Sequence, residues 1–185
     1  MRKKDSAGAD VKAGIMTGAL GAPGFFGSLV TPGPKTMLMV GEAPSPTSDP
    51  EVPIISGRSG RWLRWLLGEH WSLFYEACAF INLVETYPGP LYPLETSRHA
   101  AREVLESVVR PRTLILCGRK VSSAFGYAKA EFLSVADMPR ERLVFLPHPS
   151  GLCRWWNDEH NRSRARAQLL FEVFESSRHA ERVAS

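Results

Sequence analysis

Arg142-Leu143-Val144-Phe145-Leu146-Pro147-His148-Pro149-Ser150-Gly151-Leu152-Cys153-Arg154 is an apolar run that stops in a small-residue loop carrying one histidine. The run reads as a buried strand, and the prolines on either side of His148 stiffen the backbone that aims its ring. An earlier run, Met37-Leu38-Met39-Val40, ends in the comparable loop Gly41-Glu42-Ala43-Pro44-Ser45-Pro46-Thr47-Ser48-Asp49. Two strands that each end in a Pro-, Gly- and Ser-rich loop with an ionisable group point to a site at one edge of a parallel sheet.

Outward from these two strands, apolar runs and helical periodicities alternate. Thr36 to Val40 is the first predicted strand, and its loop runs to Gly57. Ser59 is the predicted cap of a helix with Trp62, Leu63, Leu66 and Leu67 at helical spacing. Ala77 to Val84 is a second strand, apolar except for Asn82, and Pro88-Gly89-Pro90 marks a loop. Glu95 to Val109 is an amphipathic helix with Ala100, Val104, Leu105 and Val108 on one face. Arg112 to Cys117 is a third strand, turned by Gly118 into a helix near Lys120 to Tyr127, and Arg142 to Leu146 is the fourth. A final helix from about Asn157 to Ser177 puts Leu169, Leu170, Val173 and Phe174 on one face.

Wholly apolar strands alternating with helices predict an α/β fold of three layers, α/β/α, around a central four-stranded parallel sheet. Residues 1–35 lack periodicity and are rich in Gly and Pro, so a flexible N-terminal arm is expected before a single domain over 36–180.

Hydrophobic content of 44% with 23% charged residues is that of a globular protein, and no apolar run approaches the roughly 20 residues that span a bilayer. Gly and Pro break up the segment after Arg2-Lys3-Lys4, so it makes no signal peptide, and a cytoplasmic monomer is expected. Cys78, Cys117 and Cys153 are too few and too scattered for a disulfide framework, a zinc site or an iron–sulfur cluster. No metal or organic cofactor is implied. The net charge of +4 is a mild excess, but arginines crowd both loops: Arg58, Arg61 and Arg64 after the first, Arg154, Arg162, Arg164 and Arg166 after the second. They fit either a phosphate-lined entrance or solvated helix faces.

Three kinds of residue could carry chemistry. Asn82 is an amide in an apolar strand, which must either bond neighbouring backbone or be kept for a ligand such as a pyrimidine edge. His148 at a strand end is either a satisfied structural histidine or a neutral donor that stabilises a developing negative charge. Asp49 and Glu42 are either turn and loop acids or the carboxylates that orient water and balance a cationic sugar. The chain has no GxSxG, Walker A, HExxH or GxGxxG motif, which argues against serine hydrolases, P-loop enzymes, zincins and dinucleotide binders.

Taken together, these residues resemble the uracil-DNA glycosylase superfamily over roughly Met37 to Ser177. Gly41-Glu42-Ala43-Pro44 with Asp49 resembles the first motif of the iron–sulfur-bearing branch, and Gly57-Arg58-Ser59-Gly60 the helix start that follows it. Asn82 in Ile81-Asn82-Leu83-Val84 falls where the family places its base-reading asparagine, and His148-Pro149-Ser150-Gly151 resembles the second catalytic motif. The resemblance implies hydrolysis of the N-glycosidic bond of a flipped nucleotide in DNA, double-stranded by expectation. His148 would stabilise the leaving base, with Asp49 or Glu42 handling water. Gly41, Ala43, Ile54, Ile55 and Ser150 would join Asn82 around the base. Leu152 would be the apolar wedge, with Arg58, Gly151, Arg154 and Trp155 against the DNA.

The chain also departs from the pattern. It lacks the four cluster cysteines, has Ser48 where that branch has an acid, and has Ile54 and Ile55 where the family has a phenylalanine that stacks on uracil. A lost stacking contact is worth about 1–3 kcal/mol. This favours a modified pyrimidine, such as a hydroxymethylated or glucosylated phage base, removed in repair or in antiviral defence. The alternatives are a non-catalytic nucleic-acid- or base-binding protein of the same fold and a hydrolase of free modified nucleosides.

Overall fold

Alternation along four apolar strands divides their side chains between two cores. The computed structural model describes residues 35–45, 48–49, 52–85, 94–107, 113–139, 141–150 and 152–184. The expected N-terminal arm lies almost wholly outside these residues, as do Val108 and the Pro88–Pro90 loop.

The strands are β1 (Met37–Gly41), β2 (Cys78–Asn82), β3 (Thr113–Cys117), β4 (Val135–Asp137) and β5 (Arg142–Leu146). The helices are α1 (Arg58–Leu67), α2 (Trp71–Ala77), α3 (Leu94–Ser107), α4 (Arg119–Ala124) and α5 (Glu159–Ala184), with 3-10 turns at Gly68–His70 and Arg154–Asn157. Met37, Met39, Ile115, Cys117, Val144 and Leu146 face one way and pack on α1, α2 and α5 through Leu63, Leu67, Phe74, Ala165 and Leu169. Leu38, Val40, Leu114, Leu116, Leu143 and Phe145 face the other way, onto Ala101 and Val104 of α3 and Val121 and Ala124 of α4. Each fully buried side chain of this size stabilises the fold by about 1.5–3 kcal/mol, so both faces of the sheet must stay covered.

The sheet runs β2-β1-β3-β5-β4. Its first four strands are parallel, in the register Gly41↔Asn82, Val40↔Leu116 and Leu116↔Phe145. The expected three-layer α/β fold is present, but the sheet has five strands rather than four. Strand β4 adds antiparallel to the edge of β5. Its three residues, Val-Ala-Asp, are too few and too polar at one end to read as an apolar run.

Other boundaries also move. Helix α1 begins at Arg58 with Gly57 at its cap position, so Ser59 is not the cap. Helix α2 was not expected, because seven residues are too short to show a periodicity; Lys35 Nζ closes its end by donating to the Cys78 carbonyl at 2.8 Å. On α3 the buried stripe is Ser97, Ala101 and Val104, and Leu105 is exposed. On α5 it is Ala165, Leu169, Glu172 and Val173, which turns Phe174 out to solvent.

Glu172 is fully buried at the amino edge of the sheet. It accepts from Arg142 Nε at 3.1 Å, Gln168 Nε2 at 2.6 Å and Thr113 Oγ1 at 3.4 Å, and Arg142 also pairs with Asp137 at 2.7 Å. A carboxylate taken out of water needs such partners, and here they tie α5 to the first residues of β3 and β5.

Candidate active site at the carboxyl edge of the sheet

From β1 the chain first adds β2 on one side and then crosses to β3 on the other. That reversal opens a crevice beyond the carboxyl ends of the strands. Gly41 and Glu42 leave β1 there, Asn82 ends β2, Cys117 ends β3 and His148 follows β5. Together they line one cavity of about 430 Å³. A space of that size holds a small ligand or one nucleotide base with part of its sugar.

The base of the crevice is set by a glycine. Gly41 faces Asn82 in the parallel ladder, which continues as Leu83 N–H donates to the Gly41 carbonyl at 2.9 Å. A Cβ on Gly41 would lie 2.5 Å from Asn82 Oδ1 and 2.9 Å from Ile54 Cγ1, so a side chain there would collide with both cavity walls. Ile54 adopts φ +64°, a left-handed conformation that a β-branched residue takes only when its surroundings impose it. This turn sends Ile54 to the cavity and Ile55 into the core, where Arg64 Nη2 donates to the Ile55 carbonyl at 3.0 Å.

His148 is held from two sides. Trp156 Nε1 donates to its carbonyl at 2.8 Å, and Gly118, at φ +94°, packs so close that a Cβ would lie 3.2 Å from His148 Cβ. Burial holds the imidazole below the usual histidine range; Glu42 raises its pKa and Lys120 lowers it. His148 is therefore neutral at neutral pH, able to donate one hydrogen bond without adding a charge. Lys120 Nζ lies 2.7 Å from Glu42 Oε1, and both side chains line the cavity.

Of the residues singled out from the sequence, Gly41, Glu42, Ala43, Ile54, Asn82, His148 and Ser150 line this cavity, together with the exposed Arg58 and Leu152. Leu152 is 74% exposed, in the loop that follows His148. Asp49 is exposed and is not among the lining residues; its backbone N–H and carbonyl both bond the Ser56 hydroxyl. Ile55 belongs to the core, Gly151 lies outside the described residues, and Arg154 is exposed at the start of a 3-10 turn. Trp155 is half-buried, edge-on to Trp156 and Phe132.

The arginine clusters divide as well. Arg162 donates to the Trp156 and Asn157 carbonyls and lies over Trp65, and Arg64 holds Ile55, so both brace the protein. Among the described residues, Arg58, Arg61 and Arg154 form no ion pair. Lys120, Cys117, Ser45 and Ser48 also line the cavity, and sequence reasoning did not select them. A signal for Lys120 was present: Gly118-Arg119-Lys120 follows a predicted parallel strand, so it had to emerge at the same edge as the other two loops. Among the described residues no group of three or more His, Cys, Asp or Glu side chains could hold a metal ion, and no helix is long and apolar enough to cross a membrane.

A neutral imidazole, an amide and a carboxylate braced by an ammonium converge on one crevice. They can read a planar polar edge, stabilise an anion and orient a water molecule. The family model described as the uracil DNA glycosylase superfamily matches residues 29–172. No curated protein matches the chain.

Proposed function

The chain belongs to the uracil-DNA glycosylase superfamily, and on that premise we propose that it hydrolyses the N-glycosidic bond of a flipped uracil-like or modified pyrimidine in DNA, leaving an abasic site. The observation that supports this most is the convergence of Glu42, Asn82 and a neutral His148 on one cavity at the sheet's carboxyl edge. As the bond from the sugar C1′ to the base nitrogen breaks, its electron pair moves onto the base and the sugar becomes oxocarbenium-like. A hydrogen bond donated by His148 to the base oxygen stabilises that negative charge most as it develops. Asn82 reads the base edge with one acceptor and two donors. Glu42 orients the water that adds to C1′ and balances the sugar cation, a role its place in the cavity favours over the exposed Asp49, and the proton that the water gives up ends on the departed base anion.

Exposed Arg58 and Arg154 contact phosphates, and Leu152 fills the gap left in the stack, offsetting an unstacking cost of a few kcal/mol. Ile54 forms a wall of the cavity where an aromatic ring would stack on a flat base. An aliphatic wall gives less stacking energy and a differently shaped pocket, which favours a substituted pyrimidine over uracil.

The test is abasic-site production on duplexes carrying uracil, hydroxymethyluracil, hydroxymethylcytosine or its glucoside, by wild type and by Glu42→Gln, Asn82→Ala, His148→Ala and Asp49→Ala. Excision by wild type with losses at the first three positions supports the reading. DNA binding without excision of any base would replace it with a binding role, and cleavage of free nucleosides alone would make the protein a nucleoside hydrolase. Sole activity on uracil would refute the preference for a modified base.

A further inference from the structure

Lys120 has no place in the proposed chemistry, yet its Nζ meets Glu42 Oε1 at 2.7 Å inside the same cavity as His148. The lysine side chain is 61% exposed and Glu42 23% exposed. An ion pair that open to water adds little to stability, so its value to the fold does not explain it. Its position does suggest a use. Lys120 sits in the first turn of α4, two residues after Gly118, and Gly118 is the residue packed against His148. The pair thus lines the same cavity as the imidazole, the carboxylate coming from the loop after β1 and the ammonium from α4.

We propose that Lys120 is a positioning residue for this site: it fixes the Glu42 carboxylate in the cavity and sets a positive charge against it beside His148. This deepens the glycosylase reading and rests on it for its catalytic consequence, but the electrostatic arrangement can be measured without any reaction. The other ionisable groups lining the cavity are Arg58 and Cys117. Burial pushes the Cys117 thiol up, so it stays uncharged. Glu42 and Lys120 are therefore the charges that set the protonation of His148, acting in opposite directions on top of burial. Removing Lys120 removes one opposing charge and leaves the other unbalanced. Burial still opposes protonation, so the change shows on the acid side, where a protonated His148 enters the reaction with a charge already present and gains less stabilisation as the base departs.

The experiment is an NMR titration of the full chain, with the His148 resonance assigned among the five histidines by its loss in His148→Gln. In Lys120→Met the His148 midpoint is expected to rise. Lys120→Arg should restore it, and Glu42→Gln should lower it. The double variant Lys120→Met/Glu42→Gln should fall below Lys120→Met alone, because burial is then the main influence left. The melting temperature should change little, which separates positioning from a structural role; Lys120→Gln gives the same test if the methionine variant misfolds. In the excision assay, Lys120→Met should move the acid limb of the pH profile upward and, by loosening Glu42, lower kcat at neutral pH by less than the ~10²–10⁴ that a general acid or base itself supplies. An unchanged His148 midpoint in Lys120→Met would overturn the proposal. A shifted midpoint in a protein that excises no base would uphold the electrostatic arrangement while rejecting the glycosylase reading.

Discussion

Gly41→Ala is the sharpest test of how the fold makes the site, because it adds one methyl group where the structure leaves no room. The new Cβ would stand 2.5 Å from Asn82 Oδ1, about 0.9 Å short of an ordinary contact near 3.4 Å, and 2.9 Å from Ile54 Cγ1. Both obstructing atoms are side-chain atoms, so β1 keeps its backbone and its parallel ladder to β2. The cost to folding is therefore at the low end of overpacking, about 1 kcal/mol, or roughly 2–4 °C in Tm for a chain of this length. The cost to the site is larger. Asn82 must swing by nearly an ångström, and a misplacement of that order removes about 10² from kcat/KM, equivalent to about 2.7 kcal/mol of transition-state stabilisation.

The assay is single-turnover excision of the best base in the panel by Gly41→Ala, Asn82→Ala and the double variant, with a thermal melt of each. Because the methyl acts through Asn82, the double variant should be no slower than Asn82→Ala alone. Additive losses, or a Gly41→Ala protein with wild-type turnover, would refute the reasoning.

Other outcomes follow from the same geometry. Excision should hold steady through neutral pH and fall only on an acid limb whose midpoint lies below the usual histidine value of about 6.5, since burial depresses the His148 pKa; a limb at or above that value would refute the assignment. The linked stability has the same sign. The unfolded chain takes up the proton first, so the contribution of a neutral His148 is complete above about pH 6.5 and is lost as pH falls through the lower folded value, which urea titrations across that window can measure. Gly60→Ala puts a Cβ 2.0 Å from the Ile55 carbonyl oxygen, a backbone atom that cannot rotate away; about 3 kcal/mol of stability should be lost, read as a fall in Tm of roughly 10 °C. Arg142→Ala should cost about 3–5 kcal/mol by leaving the fully buried Glu172 carboxylate without its cation, whereas Arg142→Leu with Glu172→Leu should recover most of it in a denaturant series.

Much of the fold was legible because parallel strands buried on both faces leave unbroken apolar runs, as Met37–Val40, Leu114–Cys117 and Leu143–Leu146 do. What escaped was either short or decided by tertiary packing. Strand β4 has three residues and pairs only because β5 offers it an edge, and α2 has seven. Phe174 and Leu105 have the right chemistry for a buried stripe, but the stripes run through Glu172 and Ser97, polar residues buried with partners supplied by the fold. For the site, the strand-end rule located Glu42, Asn82 and His148, since a parallel sheet delivers every strand's carboxyl end to one edge. It did not separate Ile54 from Ile55, because a single left-handed residue decides which of two adjacent isoleucines faces the crevice. Nor did it pair Lys120 with Glu42, 78 residues apart in the chain.

Strand β5 shows why stability and chemistry can be changed separately here. Its first residue, Arg142, enters the buried network with Glu172 at the amino edge, and two residues beyond its last, Leu146, His148 enters the crevice at the carboxyl edge. Five residues of strand rising about 3.3 Å each set the two groups on the order of 15–20 Å apart. Sites that far apart with no shared partner have additive effects. The two ends also have opposite electrostatic requirements. The buried carboxylate at the amino edge must be matched by positive charge to remain folded, whereas the proposed reaction needs the imidazole at the carboxyl edge free of charge beside a carboxylate. One end is met by Arg142 bonding Glu172 directly, and the other by burial of His148 with Lys120 paired to Glu42 beside it. Substitutions that neutralise the first pair should therefore alter Tm without moving the pH profile, and those at the second should move the profile without altering Tm.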